Sequence, residues 1–263
     1  MQPTDNNLLE QALRLAAEEP AHRPRFIELL LDAEVLVLGH SVADSDVGAG
    51  QQVQIQHWQK NDDSKIIPFF TSITALQRAI NEKTNYLQLP ARALFEMTQG
   101  ANLVLNPYSD HGKEFTAEEI SGLLTNGGKV VAQQRRISKD TPIMLGQPAS
   151  YPTKLVDSIT QLFAQYSQVK KAYLAMMYQG QSAADAAPNL VIGLQVESDL
   201  EIVISAAGSV VRDVAEYGEV VDFCAVEADD NSTLSQYFIN QTTPFYQRRW
   251  GSKLKSWLAK GRA

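Results

Sequence analysis

Cysteine is almost absent from this 263-residue chain, which contains only Cys224. A single cysteine excludes a disulfide within the chain and a metal cluster held by thiolates. Cys224 lies in the apolar run Val220–Val226, which is typical of a buried strand. Because apolar surroundings keep a thiol protonated, we expect a core cysteine at this position and not a reactive one.

Long hydrophobic runs are also missing. The longest apolar stretches contain four or five residues, as at Val35–Leu38, and a membrane-spanning helix needs about 20. The segment Met1–Asp5 lacks the basic-then-apolar order of a signal peptide. These absences predict a cytoplasmic protein that is not an integral membrane protein.

The chain has few of the residues that catalysis uses in combination. Its histidines are His22, His40, His57 and His111. The Gly-x-Ser-x-Gly turn of α/β-hydrolases does not occur. Gly39-His40-Ser41 places a serine beside a histidine, with Asp44 and Asp46 nearby. Adjacent side chains usually point apart, so we predict a polar loop there and not a catalytic triad.

Metal and phosphate motifs are missing as well. The His-Glu-x-x-His pattern of zinc enzymes is absent. Asp44–Gly48 resembles the start of a calcium loop, but Ile55 stands where the twelfth-position glutamate is needed. Gly48-Ala49-Gly50 lacks the spacing of a phosphate-binding loop. His57 falls on the apolar side of an alternating pattern, which predicts a core histidine. We therefore predict no metal, no cofactor and no enzymatic activity.

The charge of the chain is unevenly distributed. The net charge is −7, from 23 basic and 30 acidic residues. The segment 244–263 contains six basic residues and no acidic one, so the preceding 243 residues carry −7 − 6 = −13. An acidic body repels a phosphate backbone, which argues against a nucleic-acid partner.

The basic tail also carries an apolar stripe. Four residues fall on one face of a predicted helix: Trp250, Leu254, Trp257 and Leu258. We predict that Arg248, Arg249, Trp250 and Trp257 contact a protein partner, since Trp and Arg are favoured anchors of interfaces. Other interpretations stay open: the stripe packs on its own domain, the tail binds an anionic membrane or nucleic acid, or the two arginines pair with internal carboxylates.

Two domains are predicted, with a linker at about 138–152 that contains Pro142, Gly146, Pro148 and Pro152. The domains are then 1–150 and 151–263, and 142–145 could still form the last strand of the first. Each domain mixes helical and strand patterns, which indicates an α+β fold with a small mixed sheet packed by helices.

Periodicity predicts the elements of the first domain. Helices are expected at 6–18, after Pro24, after Ser72, at 91–99 and after Thr116, where Thr116–Glu119 forms a capping box. Strands are expected at 35–39, 53–58, 66–70, 86–89 and 102–105. Pro68 predicts an edge strand or a strand end. Asp62-Asp63 is predicted to be a turn, and Phe69-Phe70 to be core.

The second domain is predicted as helix, strand, strand, helix, strand and helix. A helix at 154–166 precedes a hairpin of strands 171–178 and 189–197. Ser198–Glu201 forms a second capping box, whose helix is expected to stop at Gly208. A strand at 220–227 and a C-terminal helix follow. Tyr237, Phe238, Phe245 and Tyr246 are expected in the core of that last helix, with a kink or restart at Pro244.

Five short segments of the chain form a recognisable set: Glu19–Pro24, Ile67–Ser72, Leu94–Thr98, Gly112–Phe115 and Pro244–Gly251. In this order they resemble the enhanced serine sensitivity protein B (SseB) family of bacteria. The resemblance extends from about residue 8 to residue 258. It implies an N-terminal and a C-terminal SseB domain and a link to sensitivity toward serine. It implies no established reaction, cofactor or catalytic residue.

Together these observations give one leading hypothesis and two alternatives. The leading hypothesis is a non-enzymatic cytoplasmic protein that binds another protein and modulates metabolism connected with serine. The first alternative is a sensor that binds an amino acid between the domains. The second is an unrecognised hydrolase that uses His111 or His22 with a nearby carboxylate. The sequence leaves the partner's identity and homo-oligomerisation open.

Overall fold

The computed structural model describes residues 3–41, 53–126, 143–179, 188–215, 220–227, 230 and 232–248. The chain divides into two compact units, Met1–Val130 and Val131–Ala263. Each unit contains a mixed sheet packed by helices, which confirms the predicted α+β class. The division lies earlier in the chain than the linker predicted at about 138–152.

Within its described residues, the first unit contains five α-helices and seven strands. The helices are α1 (Pro3–Glu18), α2 (Arg23–Leu31), α3 (Ile73–Ala79), α4 (Ala91–Met97) and α5 (Ala117–Asn126). The strands are β1 (Glu34–Ser41), β2 (Val53–Ile55), β3 (Trp58–Gln59), β4 (Lys65–Phe70), β5 (Tyr86–Pro90), β6 (Asn102–Leu105) and β7 (Lys113–Phe115). The short strand β7 was not predicted from the sequence.

The sheet of the first unit runs β2-β1-β4-β6-β7, with β3 paired to β4 and β5 to β1. Strands β4 and β6 are parallel, so their carboxyl ends meet at one edge of the sheet. Phe69 and Phe70 are fully buried on opposite faces of β4, which confirms their predicted core positions. Phe69 packs in the cluster that contains residues of α1, α2, α4 and α5, and Phe70 packs with residues of α3.

Strand β4 is central, which contradicts the edge position predicted from Pro68. Pro68 lies opposite Val104 of β6. On the other side of β4, strand β3 pairs with Lys65 and Ile66, and β1 pairs with Phe69 and Phe70. Pro68 falls between these two pairings, so the ladder is already interrupted where the proline lacks its N–H donor.

Two predicted helix starts and one turn are confirmed in the first unit. The Ser72 Oγ accepts a hydrogen bond from the backbone N of Ala75 at 3.2 Å and caps α3. The Thr116 Oγ1 accepts one from the backbone N of Glu119 at 3.1 Å and caps α5. Between β3 and β4, the Asp62 carboxylate accepts from the backbone N of Ser64 at 3.0 Å, which closes the predicted turn.

The second unit contains three α-helices and five strands among its described residues. The helices are α6 (Thr153–Phe163), α7 (Leu200–Val214) and α8 (Thr233–Gln241). The strands are β8 (Ile143–Gly146), β9 (Val169–Gln179), β10 (Asn189–Val196), β11 (Val221–Ala225) and β12 (Tyr246–Gln247). The order is β11-β10-β9-β12, and β8 also pairs with β9. Strands β9 and β10 form the predicted hairpin, and Phe238 of α8 packs on one face of the sheet.

Strand β8 belongs to the second sheet. Its register with β9 runs from Ile143 opposite Gln179 to Gly146 opposite Met176. The pairing places this strand in the second unit, whereas the sequence left open that 142–145 forms a last strand of the first domain. The prolines that follow in the chain do not interrupt it, because β8 ends at Gly146 before Pro148.

The predicted ends of α7 are wrong. The residue before the helix, Asp199, has a left-handed backbone (φ 55°) and its side chain caps nothing. The Ser198 hydroxyl donates to the Asp199 carboxylate at 2.9 Å instead of capping the helix. At the other end, α7 continues through Gly208 to Val214, because Val210 and Val214 still bury their side chains.

Helix α8 ends before Pro244 and a strand begins after it, so the prediction of Phe245 and Tyr246 in a helix is wrong. Helix α8 ends at Gln241, and the backbone N of Phe245 donates to the carbonyl of Ala172 at 2.9 Å. Tyr246 then pairs with Ala172 in β12. Proline cannot continue the helical hydrogen bonds, and β9 offers the following residues strand partners instead.

In the part of the chain that the structure describes, we find no helix with the length and apolar character needed to cross a bilayer.

Candidate contact surfaces

Arg248 is the one predicted contact residue within the described ranges, and it pairs with Glu197. Its Nη1 donates to Glu197 Oε2 at 3.1 Å and its Nη2 to Oε1 at 2.8 Å. The guanidinium also donates to the carbonyl of Ser167. The interpretation that Arg248 binds an internal carboxylate is confirmed, and its role toward a partner stays a prediction. Arg249, Trp250 and Trp257 lie outside the described residues.

This ion pair shifts the titration of both groups. Hydrogen bonds from Arg248 hold the pKa of Glu197 below its ordinary value. The same hydrogen bonds raise the pKa of the Arg248 guanidinium. Because both groups are solvent-accessible, water and salt screen their attraction, and the pair stabilises the unit only modestly. Its main consequence is geometric, since it fixes the chain after β12 against β9 and β10.

A concave surface of about 330 Å³ lies next to this ion pair in the second unit. We call it the basic groove. Its lining residues are Lys170, Lys171, Gln195, Glu197, Gln247 and Arg248. All six side chains are polar, and three are cationic against one anionic, so the charge of the lining is 3 − 1 = +2. A cationic groove stands out on a chain whose net charge is −7.

In the first unit, a buried polar network joins the carboxyl ends of β4 and β6. The backbone N of Thr71 donates to Asn106 Oδ1 at 2.9 Å, and Asn106 Nδ2 donates to Thr71 Oγ1 at 2.9 Å. The Thr71 hydroxyl in turn donates to Glu10 Oε1 of α1 at 3.0 Å. Thr71 and Asn106 are 1% and 4% exposed, so each depends on the other for its hydrogen bonds.

Asn106 begins a tight turn, residues 106–112, that we call the Tyr108 turn. Asn106 and Tyr108 both have left-handed backbones, with φ of 48° and 63°. Asparagine tolerates this conformation, but a bulky residue such as Tyr108 rarely adopts it. Gly112 closes the turn at a point where a Cβ would lie 2.8 Å from the carbonyl oxygen of Leu105. Such strain persists only where the surrounding contacts impose it.

The Tyr108 turn presents an aromatic side chain to solvent. Tyr108 is 79% exposed, and its ring centroid lies 6.1 Å from that of Trp58 on β3. Trp58 packs edge-on against the buried Phe70 at 6.5 Å. This site was not predicted from the sequence. The dipeptide Asn106-Pro107 is a turn signal, but only the structure shows that the turn exposes a tyrosine beside a tryptophan.

The histidines are dispersed over the first unit. None of the four imidazoles forms a hydrogen bond or ion pair with another residue in the described ranges. His57 is exposed between β2 and β3, so its predicted core position is wrong: β2 ends at Ile55, and the alternation on which the prediction rested ends with it. No three His, Cys, Asp or Glu residues among those described converge on a metal position. Asp44–Gly48 and Gly48-Ala49-Gly50 fall outside the described residues.

The thiol of Cys224 is expected to react slowly in the folded protein. This cysteine lies on β11 opposite Gly193 of β10, and burial, followed by the charge of Asp222, raises the pKa of its thiol to about 12. At pH 8 the folded protein should therefore react with a disulfide reagent at least about tenfold more slowly than the unfolded chain, because the thiolate is the nucleophile. The expected difference in rate is no larger because β11 is an edge strand of its sheet, where local opening exposes the thiol.

The readout is simple because the chain has one cysteine. The reaction is followed by absorbance in buffer and in urea. Equal rates in the two conditions would contradict the raised pKa of this half-buried thiol.

Comparison with known proteins agrees with this two-unit architecture. The SseB protein N-terminal domain matches residues 9–122, and the SseB protein C-terminal domain matches residues 137–248. Protein SseB of Escherichia coli (strain K12) is 37% identical over 249 residues, which cover 95% of each chain. Protein SseB of Shigella flexneri gives the same identity and coverage. These matches confirm the resemblance found in the sequence, and the chain belongs to the SseB protein family.

Proposed function

We propose that this chain is a non-enzymatic cytoplasmic protein that binds another protein through the Tyr108 turn and so modulates metabolism connected with serine. The serine connection comes from the family resemblance found in the sequence. The contact surface comes from one observation, a tyrosine that is 79% exposed on a backbone that the fold holds in a strained conformation.

The chemistry of the turn supports a protein contact. Tyrosine and tryptophan are enriched among the residues that dominate binding energy, and Tyr108 lies beside Trp58. Burial of a large ring under a partner gives hydrophobic stabilisation, and its hydroxyl can still donate a hydrogen bond at the rim. Small-molecule sites are usually concave and enclosed, whereas this ring is solvent-exposed on a surface turn. Its position therefore suits contact with another protein better than binding of a small molecule.

The rigidity of the turn supports the same function. Asn106 is fixed by two hydrogen bonds to Thr71, and its backbone N donates to the carbonyl of Phe69 at 2.9 Å. The Tyr108 ring is therefore already placed before a partner arrives. Binding then loses less conformational entropy than it would with a mobile loop, which increases affinity.

Affinity capture tests this proposal. Tagged full-length chain, with wild-type sequence or with Tyr108→Ala, is used to isolate partners from a lysate of the source cells, and the affinity of any recovered partner is then measured with purified proteins. We expect Tyr108→Ala to weaken that affinity by about 30-fold, which corresponds to the roughly 2 kcal/mol of a typical interface hot spot.

The matched control is Tyr86→Ala, because Tyr86 is also exposed in the first unit but lies on β5. A partner bound equally by wild type and Tyr108→Ala would overturn the proposed surface. The double variant Arg249→Ala with Trp250→Ala tests the predicted tail contact in the same assay. Serine-sensitive growth of a deletion strain should be rescued by Tyr86→Ala and not by Tyr108→Ala.

A further inference from the structure

We infer that the basic groove of the second unit binds a carboxylate-rich segment of a partner protein, with Lys171 as the central contact. This site is distinct from the Tyr108 turn, since its residues belong to β9, β10 and β12 or directly follow β10 and β12.

Strand register places three polar side chains in one row. Lys171 of β9 lies directly opposite Gln195 of β10 on one side and Gln247 of β12 on the other. Directly opposite residues of paired strands point to the same face and lie about 5 Å apart. An ammonium group is thus flanked by two carboxamides, each of which carries two N–H donors. This is a set of donors suited to carboxylate oxygens.

These three side chains have no partners of their own among the described residues. Lys171, Gln195 and Gln247 form no side-chain hydrogen bond or ion pair there. The other charged residues of the groove do have partners, because Glu197 is bound by Arg248 and its carboxylate lies 3.6 Å from the Lys170 ammonium. The single carboxylate of the groove is therefore already satisfied, and Lys171 is left to attract an external anion.

The charge and lining of the groove favour an acidic peptide as the occupant. An apolar small molecule would find no apolar side chain in the lining. A nucleic acid would find no aromatic side chain in the lining on which its bases could stack. Glutamate and aspartate side chains offer separate carboxylates that can contact Lys171 and approach Lys170.

The probe is a fluorescein-labelled hexaglutamate peptide, whose binding to the full chain is measured by anisotropy at low ionic strength. We expect Lys171→Gln to weaken binding about tenfold, since it removes one charge-assisted hydrogen bond. The matched control is Lys154→Gln, an identical charge change at an exposed position of α6 in the same unit, which should change binding less than about twofold. Circular dichroism confirms that both variants fold.

Several results would overturn the inference. Equal weakening by Lys171→Gln and Lys154→Gln would show attraction by net charge without a site. Tighter binding of an oligothymidylate than of hexaglutamate would show a nucleic-acid surface, and the absence of hexaglutamate binding at low salt would remove the site. Tyr108→Ala should leave hexaglutamate binding unchanged, so this inference and the proposed function fail independently.

Discussion

Replacing Phe238 with alanine is expected to lower the free energy of unfolding of the second unit by about 4 kcal/mol. Phe238 is fully buried and joins α8 to the sheet. Its ring centroid lies 5.8 Å from that of Tyr173 on β9. Truncation removes the ring from this core and leaves a cavity that neighbouring side chains fill only in part. The unfolding midpoint in urea, followed by the labelling of Cys224, reports on this unit because Cys224 packs against the same cluster.

Two further variants make this prediction specific. Ile239→Ala is the control, because Ile239 neighbours Phe238 on α8 but is 37% exposed and should lose far less stability. Gly193→Ala tests the contact from the opposite side, since a Cβ there would lie 2.8 Å from the Phe238 ring. Gly193→Ala should destabilise wild type more than it destabilises Phe238→Ala. Equal midpoints for Phe238→Ala and Ile239→Ala would refute the assigned packing.

The second large effect is expected in the first unit, where Asn106→Ala should lower the free energy of unfolding by about 3 kcal/mol. The substitution leaves the buried backbone N and hydroxyl of Thr71 without the Asn106 amide. It also places an alanine in a left-handed conformation that asparagine tolerates better. Trp58 fluorescence in a Trp250→Phe, Trp257→Phe background measures this loss, because Trp58 is then the only tryptophan.

Asn106→Gly separates the two causes. Glycine adopts the left-handed backbone without strain, so this variant should lose only the hydrogen-bond contribution, about 2 kcal/mol. Asn81→Ala is the control, since Asn81 is exposed in the same unit. If Asn106→Ala were no less stable than Asn81→Ala, the buried network would not hold the Tyr108 turn.

Elements whose signals are local were predictable from the sequence. The caps at Ser72 and Thr116 were correct because each depends on a hydrogen bond to a backbone N three residues away. The β9–β10 hairpin was predicted because its two apolar runs are close in the chain. The core positions of Phe69 and Phe70 followed from their place in an apolar strand.

The errors occur where packing overrides a local signal. Pro68 indicated an edge, but the interrupted pairing on one side of β4 accommodates a proline in a central strand. Gly208 indicated a helix end, but burial of Val210 and Val214 extends α7 past it. The residues after Pro244 were assigned to a helix because their partner strand, β9, is distant in sequence.

The candidate surfaces depend on such distant pairings, so the sequence could not reveal them. Thr71 and Asn106 meet only because β4 and β6 are parallel neighbours. Gln195, Lys171 and Gln247 form a row only in the observed register, and a shift by one residue would turn Lys171 to the other face. The composition of the tail predicted its positive charge, whereas the basic groove could be identified only from the structure.

The position of β12 has a consequence for how the protein is made. The Tyr246 hydroxyl donates at 3.0 Å to the carbonyl of Phe163, 83 residues earlier in the chain. A ribosome releases the chain from its amino end, and domains generally fold as units in that order. The first sheet can therefore form during translation, whereas β9 cannot pair with β12 until Tyr246 has left the exit tunnel. A stalled ribosome would thus hold a second unit whose β9 has not yet acquired this neighbour.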